Sequence, residues 1–288
     1  MKKLFLNKTL WIAACCLTSL LSCTTSKEHP SPLSVMTFNI RLDAPQDSLN
    51  NWKYRKANVG QMINYYAPDL IGLQEVCHNQ LEDLCASLKD YAHIGVGRDD
   101  GKTKGEYCPI FYNKTKYTLI DQGNFSLSEH PDSIGIKGWD ASYNRIATWG
   151  VFLDNRTQQR MVYYNTHLDN DGIIARKEGI QLILQHIRQQ GLDLPTIISG
   201  DFNCVPFDEP LNILENEGFE NSYKDARIKY GPSYSFHDFG RLPVSECQQL
   251  DYILVSKPMS ISRSRMIADK ANGWYLSDHF PVFTNILY

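Results

Sequence analysis

Short apolar runs rich in β-branched and aromatic residues recur along the whole chain, and they constrain its fold more than any other feature. Runs of this kind, bounded by turn-forming residues, predict β-strands. Ten segments fit: 33–40, 69–74, 91–96, 108–112, 117–125, 145–153, 161–166, 196–200, 249–255 and 281–287. Four further segments place apolar residues at helical spacing and predict helices: 52–66, 79–88, 172–190 and 210–218.

The number and order of these elements indicate sheets that pack face to face. Many strands with few intervening helices favour two sheets with helices on their outer faces. Because the connections differ in kind, both parallel and antiparallel strand pairs are expected. No repeat of solenoid length is visible, and about 250 residues is near the upper limit for one core. Because no repeat and no linker interrupts residues 33–288, they are predicted to form one domain, and its length fits a two-sheet interior.

The first 22 residues have the composition of a secretory signal. Lys2 and Lys3 precede an apolar stretch at 10–21 that is too short to span a bilayer comfortably, and Leu-Leu-Ser-Cys ends it at Cys23. This ending resembles a bacterial lipobox, which implies that Cys23 is acylated and begins the mature chain, with a polar tether at 23–32. Simple signal cleavage, with Cys23 incidental, is the alternative. The lipobox interpretation predicts a lipid-anchored protein of the cell envelope, periplasmic or at the cell surface.

Five cysteines lie beyond the predicted signal: Cys77, Cys85, Cys108, Cys204 and Cys247. An odd number leaves at least one thiol unpaired. No two of them are at C-x-x-C spacing, so a zinc or redox site is not indicated. Most are therefore expected to be small, buried apolar side chains.

The charge balance and the absence of several short motifs exclude some classes of function. A formal net charge of −3 argues against a protein that binds DNA or RNA mainly by neutralising many phosphates. The sequence contains no P-loop and no Gly-x-Gly-x-x-Gly, so nucleotide-binding folds of those types lack support. Gly-x-Ser-x-Gly is also absent, which counts against an α/β-hydrolase.

Acidic, amide and imidazole side chains fall where predicted strands begin or end. Each of them alone has a local structural explanation, such as capping a turn or a helix. Ligand sites in sheet proteins collect where strand ends and their loops converge, so the joint pattern favours chemistry. The residues are Asn39, Glu75, His167, Asp201, Asn203, Asp251, Asp278 and His279.

The residue types in this set suit metal-assisted hydrolysis of a phosphate ester. Carboxylate and amide oxygens without thiolates are hard ligands, which suit Mg²⁺ or Mn²⁺. Mg²⁺ takes few protein carboxylates and keeps positions for water and for substrate phosphate oxygens. The two histidines can then act as a general acid or stabilise charge on the phosphoryl oxygens.

Five short segments occur in an order that resembles a known family. They are LQEV at 73–76, NTHL at 165–168, GDFN at 200–203, LDYI at 250–253 and SDH at 277–279, with VMTFN at 35–39 in front. Together they resemble the endonuclease/exonuclease/phosphatase superfamily of deoxyribonuclease-like, metal-dependent phosphoesterases over nearly the whole mature chain. The resemblance implies an α/β fold, a four-layer α/β sandwich with two mixed β-sheets packed face to face and helices outside.

The resemblance also implies how the water and the metal are held. Glu75, with Asn39 nearby and Asp278 contributing, would hold the divalent metal, which is Mg²⁺ or, as a substitute, Mn²⁺. Asp201 would orient and deprotonate the attacking water. Asn203 would help to place that water against the phosphorus and to bind the phosphate.

On the substrate side, the resemblance implies two carboxylate–histidine pairs. His279, held in place by Asp251, would bind a non-bridging phosphoryl oxygen. His167 would lie on the leaving-group side, paired with Glu106 as in deoxyribonuclease-like members. Arg145 falls where the family often has a phosphate-contacting arginine, and a surface ion pair is its alternative.

Two further comparisons concern the branch of the family. The NTHL form is nearer to the deadenylase, sphingomyelinase and phosphatase branches than to the apurinic endonucleases. The segments 97–102 and 138–141 resemble an exported bacterial branch of the family. Asp43 and Asp169 lie next to core motifs, where they either line the cleft or serve as turn residues, and they are left outside the core set.

The leading hypothesis is an Mg²⁺-dependent hydrolase of a phosphate ester that acts outside the cytoplasm as a monomer. The substrate stays open between a phosphodiester, such as nucleic acid or phospholipid, and a phosphomonoester, such as a sugar or inositol phosphate. The charge balance and the anchor favour small or lipid-derived substrates. The alternative is a non-catalytic ligand-binding or adhesion lipoprotein with the same fold. Specificity is expected to depend on the loops at 42–51, 98–105, 126–144 and 230–246.

Overall fold

A computed structural model of the protein describes residues 32–288. The predicted signal segment, Cys23 and the tether up to residue 31 lie outside the described residues. All ten predicted strands and all four predicted helices are present, with ends that differ by one or two residues. Within the described range, no helix is both long and apolar enough to cross a membrane.

The described residues form four α-helices and fifteen strands, numbered in chain order. The helices are α1 (Trp52–Tyr66), α2 (His78–Ser87), α3 (Ile173–Gln189) and α4 (Glu209–Asn216). The strands are β1 (Leu33–Asn39), β2 (Leu70–Gln74), β3 (Tyr91–Ile94), β4 (Ile110–Asn113), β5 (Tyr117–Ser126), β6 (Ile146–Asp154), β7 (Arg160–His167), β8 (Thr196–Asp201), β9 (Glu220–Asn221), β10 (Ile228–Tyr230), β11 (Asp251–Val255), β12 (Ser260–Met266), β13 (Lys270–Ala271), β14 (Trp274–Tyr275) and β15 (Val282–Leu287). Three 3₁₀ helices lie in loops, at Pro45–Asn50, Asp238–Gly240 and Val244–Glu246.

The strands form two large sheets, each with parallel and antiparallel pairs. The seven-stranded sheet has the order β10-β12-β15-β1-β2-β4-β3, and the six-stranded sheet has the order β5-β6-β7-β8-β11-β9. The pairs β1–β2 and β7–β8 are parallel, whereas most of the others are antiparallel. β13 and β14 form a separate hairpin. The prediction of two mixed sheets is confirmed.

Three buried clusters define the layers of the fold. The central cluster contains side chains of both sheets, among them Val35, Tyr163 and Ile253, so the two sheets pack face to face. A second cluster packs α1 and α2 on the outer face of the seven-stranded sheet. A third packs α3 and α4 on the outer face of the six-stranded sheet. Because burial of apolar area is the main favourable term in folding, these three interfaces stabilise the predicted four-layer sandwich.

Local sequence explains where α1 begins and ends. Asn51 precedes the helix, and its side chain accepts a hydrogen bond from the Lys53 N–H, which satisfies one of the unpaired donors of the first turn. The helix ends at a left-handed Ala67, directly before Pro68, as the sequence predicts. Its inner face buries Trp52 and Ile63 among others.

A buried polar network joins the two sheets beneath the end where the predicted site residues lie. Gln74 of β2 donates to Asn165 of β7 (Nε2–Oδ1 2.7 Å), and Asn165 donates in turn to the Leu73 carbonyl (2.8 Å). A Cβ at Gly72 would lie 2.5 Å from the Asn165 Oδ1, so only glycine fits there. These hydrogen bonds link the two packed layers, although the Gln74 Oε1 has no hydrogen-bond partner among the described residues.

Five strands of the structure were not predicted from the sequence, and β12 is the longest of them. Five of its seven residues, SISRSRM, are serine or arginine, so its apolar content is too low to predict a strand. Ile261, Ser264 and Met266 face inward, while the two arginines do not. Antiparallel pairing with β15 and parallel pairing with β10 make this segment a strand. Tertiary pairing therefore overrides a weak local pattern.

The cysteines depart in part from the prediction. None of the five in residues 32–288 forms a disulfide bond. Cys108 and Cys204 are buried, as expected, but Cys77, Cys85 and Cys247 are only partly buried. The expectation that most of them are buried is therefore wrong, because these three lie near the outer surface rather than between layers.

Candidate active site

The polar strand-end residues meet at one edge of the two-sheet core. The parallel pair β1–β2 ends at Asn39, and Glu75 follows β2 directly. In the other sheet, β7 runs parallel to β8 with His167 opposite Asp201, and β11 runs antiparallel with Asp251 also opposite Asp201. Strand register therefore gathers residues that lie far apart in the sequence.

A cavity of about 780 Å³ opens at this edge. Asn39 and Asp251 lie directly behind its wall, fully buried, and each is hydrogen-bonded to residues that line it. All the predicted site residues of the described range are therefore at one cavity. Those that line it are Glu75, Glu106, Arg145, His167, Asp201, Asn203, Asp278 and His279.

His279 is held between two carboxylates. Its Nδ1 lies 2.7 Å from the Asp251 Oδ2, and its Nε2 lies 3.7 Å from the Asp201 Oδ2. Burial lowers the pKa of His279, but Asp251 and Asp201 outweigh burial and raise this pKa to about 10. The ring is therefore charged at neutral pH, so both nitrogens carry protons. One polar atom from each of Asp201, Asp251 and His279 lies within 4.8 Å of the other two. The hydrogen bond between His279 and Asp251 explains why these two side chains are close.

Asn39 joins two of the carboxylates. Its Nδ2 donates to the Glu75 Oε1 and to the Asp201 Oδ2, each at 2.9 Å, while its Oδ1 accepts from the Arg41 N–H at 3.0 Å. The Asp201 Oδ1 accepts from the Asn203 N–H at 3.0 Å. Burial, together with the nearby Asp251, raises the pKa of Asp201 to about 7. A carboxylate with a pKa near neutrality is suited to general-base catalysis.

The donor set fits a hard divalent cation. Glu75, Asp201 and Asp278 bring three carboxylates to the cavity without a thiolate, and burial raises the pKa of Asp278 as it does that of Asp201. Buried carboxylates are costly to keep charged without compensating positive charge, and a bound divalent cation would provide that charge. Asn39 turns its nitrogen, not its oxygen, toward these carboxylates, so it would have to rotate its amide to become a ligand.

Arg41 lies between two of these carboxylates. Its guanidinium makes two hydrogen bonds to Asp47, at 3.0 and 3.2 Å. From there its nitrogens lie 3.8 Å from the Glu75 Oε2 and 3.8 Å from the Asp278 Oδ2. Arg41 therefore already supplies part of the positive charge at the proposed metal end of the cavity.

Glu106 lies beside His167, as predicted, but its hydrogen bonds go to another residue. The Glu106 carboxylate makes two hydrogen bonds with Arg98, at 2.7 and 2.8 Å, and its Oε2 lies 3.9 Å from the His167 Nδ1. The His167 Nε2 accepts from the Asn203 Nδ2 at 3.0 Å. Burial, with Arg145 and Arg98 nearby, lowers the pKa of His167 well below its ordinary value. The hydrogen bonds of Glu106 go to Arg98 because a bidentate arginine competes better for a carboxylate than a neutral ring does, and His167 stays within ion-pair distance of the same carboxylate.

Arg145 is an ion-pair partner, but it is buried rather than on the surface. Its Nε donates to Asp169 (3.2 Å) and its Nη2 to the Asn170 side chain (2.9 Å). Its Nη1 has no hydrogen-bond partner among the residues that the structure describes. The Tyr143 ring lies 5.3 Å from the Arg98 guanidinium carbon and 5.6 Å from that of Arg145. Arg145 thus reaches the cavity wall with one donor group unused by the protein.

Backbone strain is concentrated around the cavity. Five non-glycine residues beside it have φ in the left-handed region: Arg41 (59°), Glu75 (59°), Asn203 (47°), Asp238 (48°) and Phe239 (54°). Such conformations are uncommon outside glycine, and they concentrate where a side chain must be aimed for function.

Four residues that shape the cavity lie outside the predicted core set: Arg41, Asp47, Arg98 and Asp169. Asp47 and Arg98 fall in loops predicted to border the cleft, and Asp169 lies next to the NTHL motif. The sequence therefore indicated the positions of Asp47, Arg98 and Asp169, but it indicated neither Arg41 nor the ion-pair partners of the four residues.

A family model and solved structures match this chain over most of its length. A model of the Endonuclease/Exonuclease/phosphatase family matches residues 36–279. An endonuclease/exonuclease/phosphatase from Bacteroides vulgatus is 42% identical, with a TM-score of 0.86 over 89% of this chain and 99% of that chain. A mannosyl-6-phosphatase from Bacteroides thetaiotaomicron is 33% identical, with a TM-score of 0.83 over 89% and 100% of the two chains.

Curated relatives match with lower identity. The CCR4-Not complex 3'-5'-exoribonuclease subunit Ccr4 of Mycosarcoma maydis is 26% identical over 60% of this chain and 32% of that protein. Human Nocturnin is 25% identical over 80% of this chain and 57% of that protein. The matched region covers about a third to a half of the length of several of these curated relatives. With the family model matching most of the chain, the protein belongs to the endonuclease/exonuclease/phosphatase family, whose members are hydrolases of the nuclease and phosphatase type.

Proposed function

We propose that the protein is a divalent-metal-dependent phosphoesterase in which Asp201 activates the attacking water. The observation that carries this proposal is the grouping of Asp201 and the Asp251–His279 pair around one cavity edge. Asp201 presents a buried carboxylate with a pKa of about 7, and Asn203 stands beside it on the same loop. This combination supplies a base for water and a charged donor for the phosphoryl group.

Glu75 and Asp278 would hold Mg²⁺ or Mn²⁺, with Asn39 as a further ligand after rotation of its amide. When bound, the cation would neutralise charge on the phosphoryl oxygens. Arg41, kept in place by Asp47, would add fixed positive charge at that end of the cavity. The hard oxygen donors of the cavity support Mg²⁺ or Mn²⁺ as this cation.

The remaining residues would act on the substrate. His279 would donate its Nε2–H to a non-bridging phosphoryl oxygen, while Asp251 holds the ring. Asn203 donates to the His167 ring and would move between that ring and the phosphate. The Arg145 Nη1, which has no partner among the described residues, would donate a hydrogen bond to a substrate oxygen, because a buried guanidinium donor is costly to leave unpaired.

A small phosphate ester is the substrate class that we favour, and a sugar phosphate in particular. The support comes from a net charge of −3, which does not favour a polyanion, and from the 33% identical mannosyl-6-phosphatase that matches over its whole length. We further propose that the protein acts as a monomer in the cell envelope, lipid-anchored through Cys23. A non-catalytic binding lipoprotein remains the alternative of another class, against which the retained Asp201, Asn203 and His279 argue.

The test is a panel of phosphate esters with Mg²⁺, comparing the wild type with Asp201→Asn. The panel comprises mannose 6-phosphate, an inositol phosphate, sphingomyelin, RNA and single-stranded DNA. Asp171→Asn is the matched control, because Asp171 is an exposed acid close to the cleft that does not line it. We expect Asp201→Asn to lose activity by a factor of about 10³ or more, while Asp171→Asn keeps it.

A thermal-shift titration with Mg²⁺ and Mn²⁺ separates the enzyme from the binding lipoprotein. A cation that binds the native state must raise the melting temperature, so we expect stabilisation at millimolar concentrations. Wild-type rates in Asp201→Asn would refute the assignment of the base. No hydrolysis of any ester, together with no stabilisation by either cation, would favour the binding lipoprotein.

A further inference from the structure

A second cavity, of about 390 Å³, lies beside the catalytic one and shares no lining residue with it in the described part of the chain. It lies where the chain passes from β9, at the edge of one sheet, to β10, at the edge of the other. Phe207, from the loop after β8, and Tyr230, at the end of β10, border it together with Tyr223 and Met266. Nothing in the mechanism proposed above uses this cavity.

Two large aromatic side chains at this cavity are left exposed. Phe207 is 76% exposed and Tyr230 is 72% exposed. The Phe207 backbone has φ of 79°, a left-handed conformation that is unfavourable for an aromatic residue. Hydrogen bonds on either side hold this turn, from the Val205 N–H to Asp208 (2.9 Å) and from Asn212 to the Phe207 carbonyl (2.7 Å). The fold therefore maintains an exposed ring at the cavity in a strained turn.

The charged groups of the cavity are already paired within the protein. Glu215 accepts from Lys224 at 2.7 Å and from Asn221 at 3.3 Å. The Lys229 Nζ donates to the backbone carbonyls of Tyr223 and Lys224, at 3.0 and 3.1 Å. What remains for a ligand is mainly apolar and aromatic surface with a polar margin. That combination suits an uncharged ring with one apolar face and hydroxyl groups around it, which describes a sugar.

Two short segments connect this cavity to the catalytic one. Phe207 is four residues after Asn203, so their Cα atoms are at most about 14 Å apart. Ser233, which borders the second cavity, is three residues before Phe236, which lines the first, so this separation is at most about 11 Å. The lining residues of the two cavities are therefore separated by no more than roughly the length of a phosphorylated disaccharide.

We propose that this second cavity is a distal subsite that binds the next sugar ring of an oligosaccharide whose terminal sugar carries the scissile phosphate. The proposal rests on the phosphoesterase function above and specifies its substrate. A nucleobase could also stack on exposed aromatic rings, but an RNA chain would need free cationic groups along its path, and both lysines of the cavity have partners. The sugar is therefore the ligand that the contacts favour.

The kinetic test compares mannose 6-phosphate with mannobiose carrying the same phosphate on its terminal ring. For the wild type we expect kcat/KM to be higher for the disaccharide. In Phe207→Ala and in Tyr230→Ala, the ratio of kcat/KM for disaccharide to monosaccharide should fall about tenfold, equal to about 1.4 kcal/mol. The control is Tyr65→Ala, which removes an 82% exposed aromatic ring that borders neither cavity and should keep the wild-type ratio.

A binding measurement keeps the subsite testable apart from hydrolysis. Saturation-transfer NMR with unphosphorylated mannobiose should show transfer from the wild type, and weaker transfer from Phe207→Ala. Absence of transfer from the wild type, or equal ratios and equal transfer in the variants, would overturn the subsite. Loss of activity toward a dinucleotide but not toward the disaccharide in Phe207→Ala would also overturn it, in favour of a nucleobase. Failure of the phosphoesterase function is a separate result, namely transfer without hydrolysis of either phosphate.

Discussion

The Asp251–His279 pair offers a quantitative test of the site, through the substitution Asp251→Asn. In the wild type, the His279 Nδ1 lies 2.7 Å from the Asp251 carboxylate. Asparagine keeps the size of the side chain and an oxygen that can accept from this nitrogen, but it removes the negative charge. Both side chains are buried, at 0% and 6% exposure, so little solvent screening weakens their attraction. The substitution therefore isolates the charge of the pair from its geometry.

The size of the effect follows from the pKa of His279. Burial lowers this pKa, while Asp251 and Asp201 raise it from the ordinary 6.5 to about 10. The difference corresponds to about 5 kcal/mol in favour of the charged ring. Without the Asp251 charge, the pKa of His279 should fall to its ordinary range or below. The ring would then be mostly neutral at pH 8, and loss of a charged donor to the phosphoryl group should lower kcat by about 10²–10³.

The same pair sets a pH dependence of stability. Because the folded-state pKa of His279 is raised, its contribution to stability is fully present below pH 6.5 and is lost as the pH rises through about 10. The free energy of unfolding of the wild type should therefore fall between pH 7 and pH 10 by more than that of Asp251→Asn. Urea denaturation across this range measures the difference.

Two measurements on Asp251→Asn test whether the Asp251 charge keeps the His279 ring protonated. An NMR titration of the His279 ring gives its pKa directly, and steady-state kinetics at pH 8 with Mg²⁺ give kcat. If the ring titrates at the same pH in wild type and variant, or if kcat stays within threefold, the Asp251 charge does not hold the ring protonated and the reasoning is refuted.

Three further substitutions test other contacts of the site. Arg41→Ala removes positive charge 3.8 Å from two carboxylates, so Mn²⁺ should bind at least several-fold more tightly by calorimetry, and equal or weaker binding would contradict this role. Arg98→Met removes one of the charges that lower the pKa of His167, so this pKa should rise in an NMR titration, and an unchanged value would disprove the coupling. Asp169→Ala breaks a buried ion pair and should lower the free energy of unfolding by about 3–5 kcal/mol in urea, whereas Asp171→Ala on the exposed side should change it by less than about 1 kcal/mol.

Much of the fold could be predicted because its signals are local. The run VMTFN that ends at Asn39 and the run TIISG before Asp201 are apolar, β-branched and short, and both form strands of the lengths expected. Strand pairing places the polar residues at the ends of these strands along one edge of the core. The residues predicted from strand ends therefore lie at the same cavity. Strand β12 was not predicted because its sequence is mostly serine and arginine. It forms a strand because it pairs with β15.

The sequence by itself indicated ten of the fifteen strands, all four α-helices, the two-sheet architecture and the identity of the residues at the cavity edge. These follow from hydrophobic periodicity and from motif order, both of which are properties of neighbouring residues. Only the tertiary structure decided the hydrogen-bond partners of the charged groups: Glu106 binds Arg98, with His167 3.9 Å away, and Arg145 binds Asp169. The reason is physical, since the strength of such a pair depends on distance and burial, which are set by how loops far apart in the chain pack together.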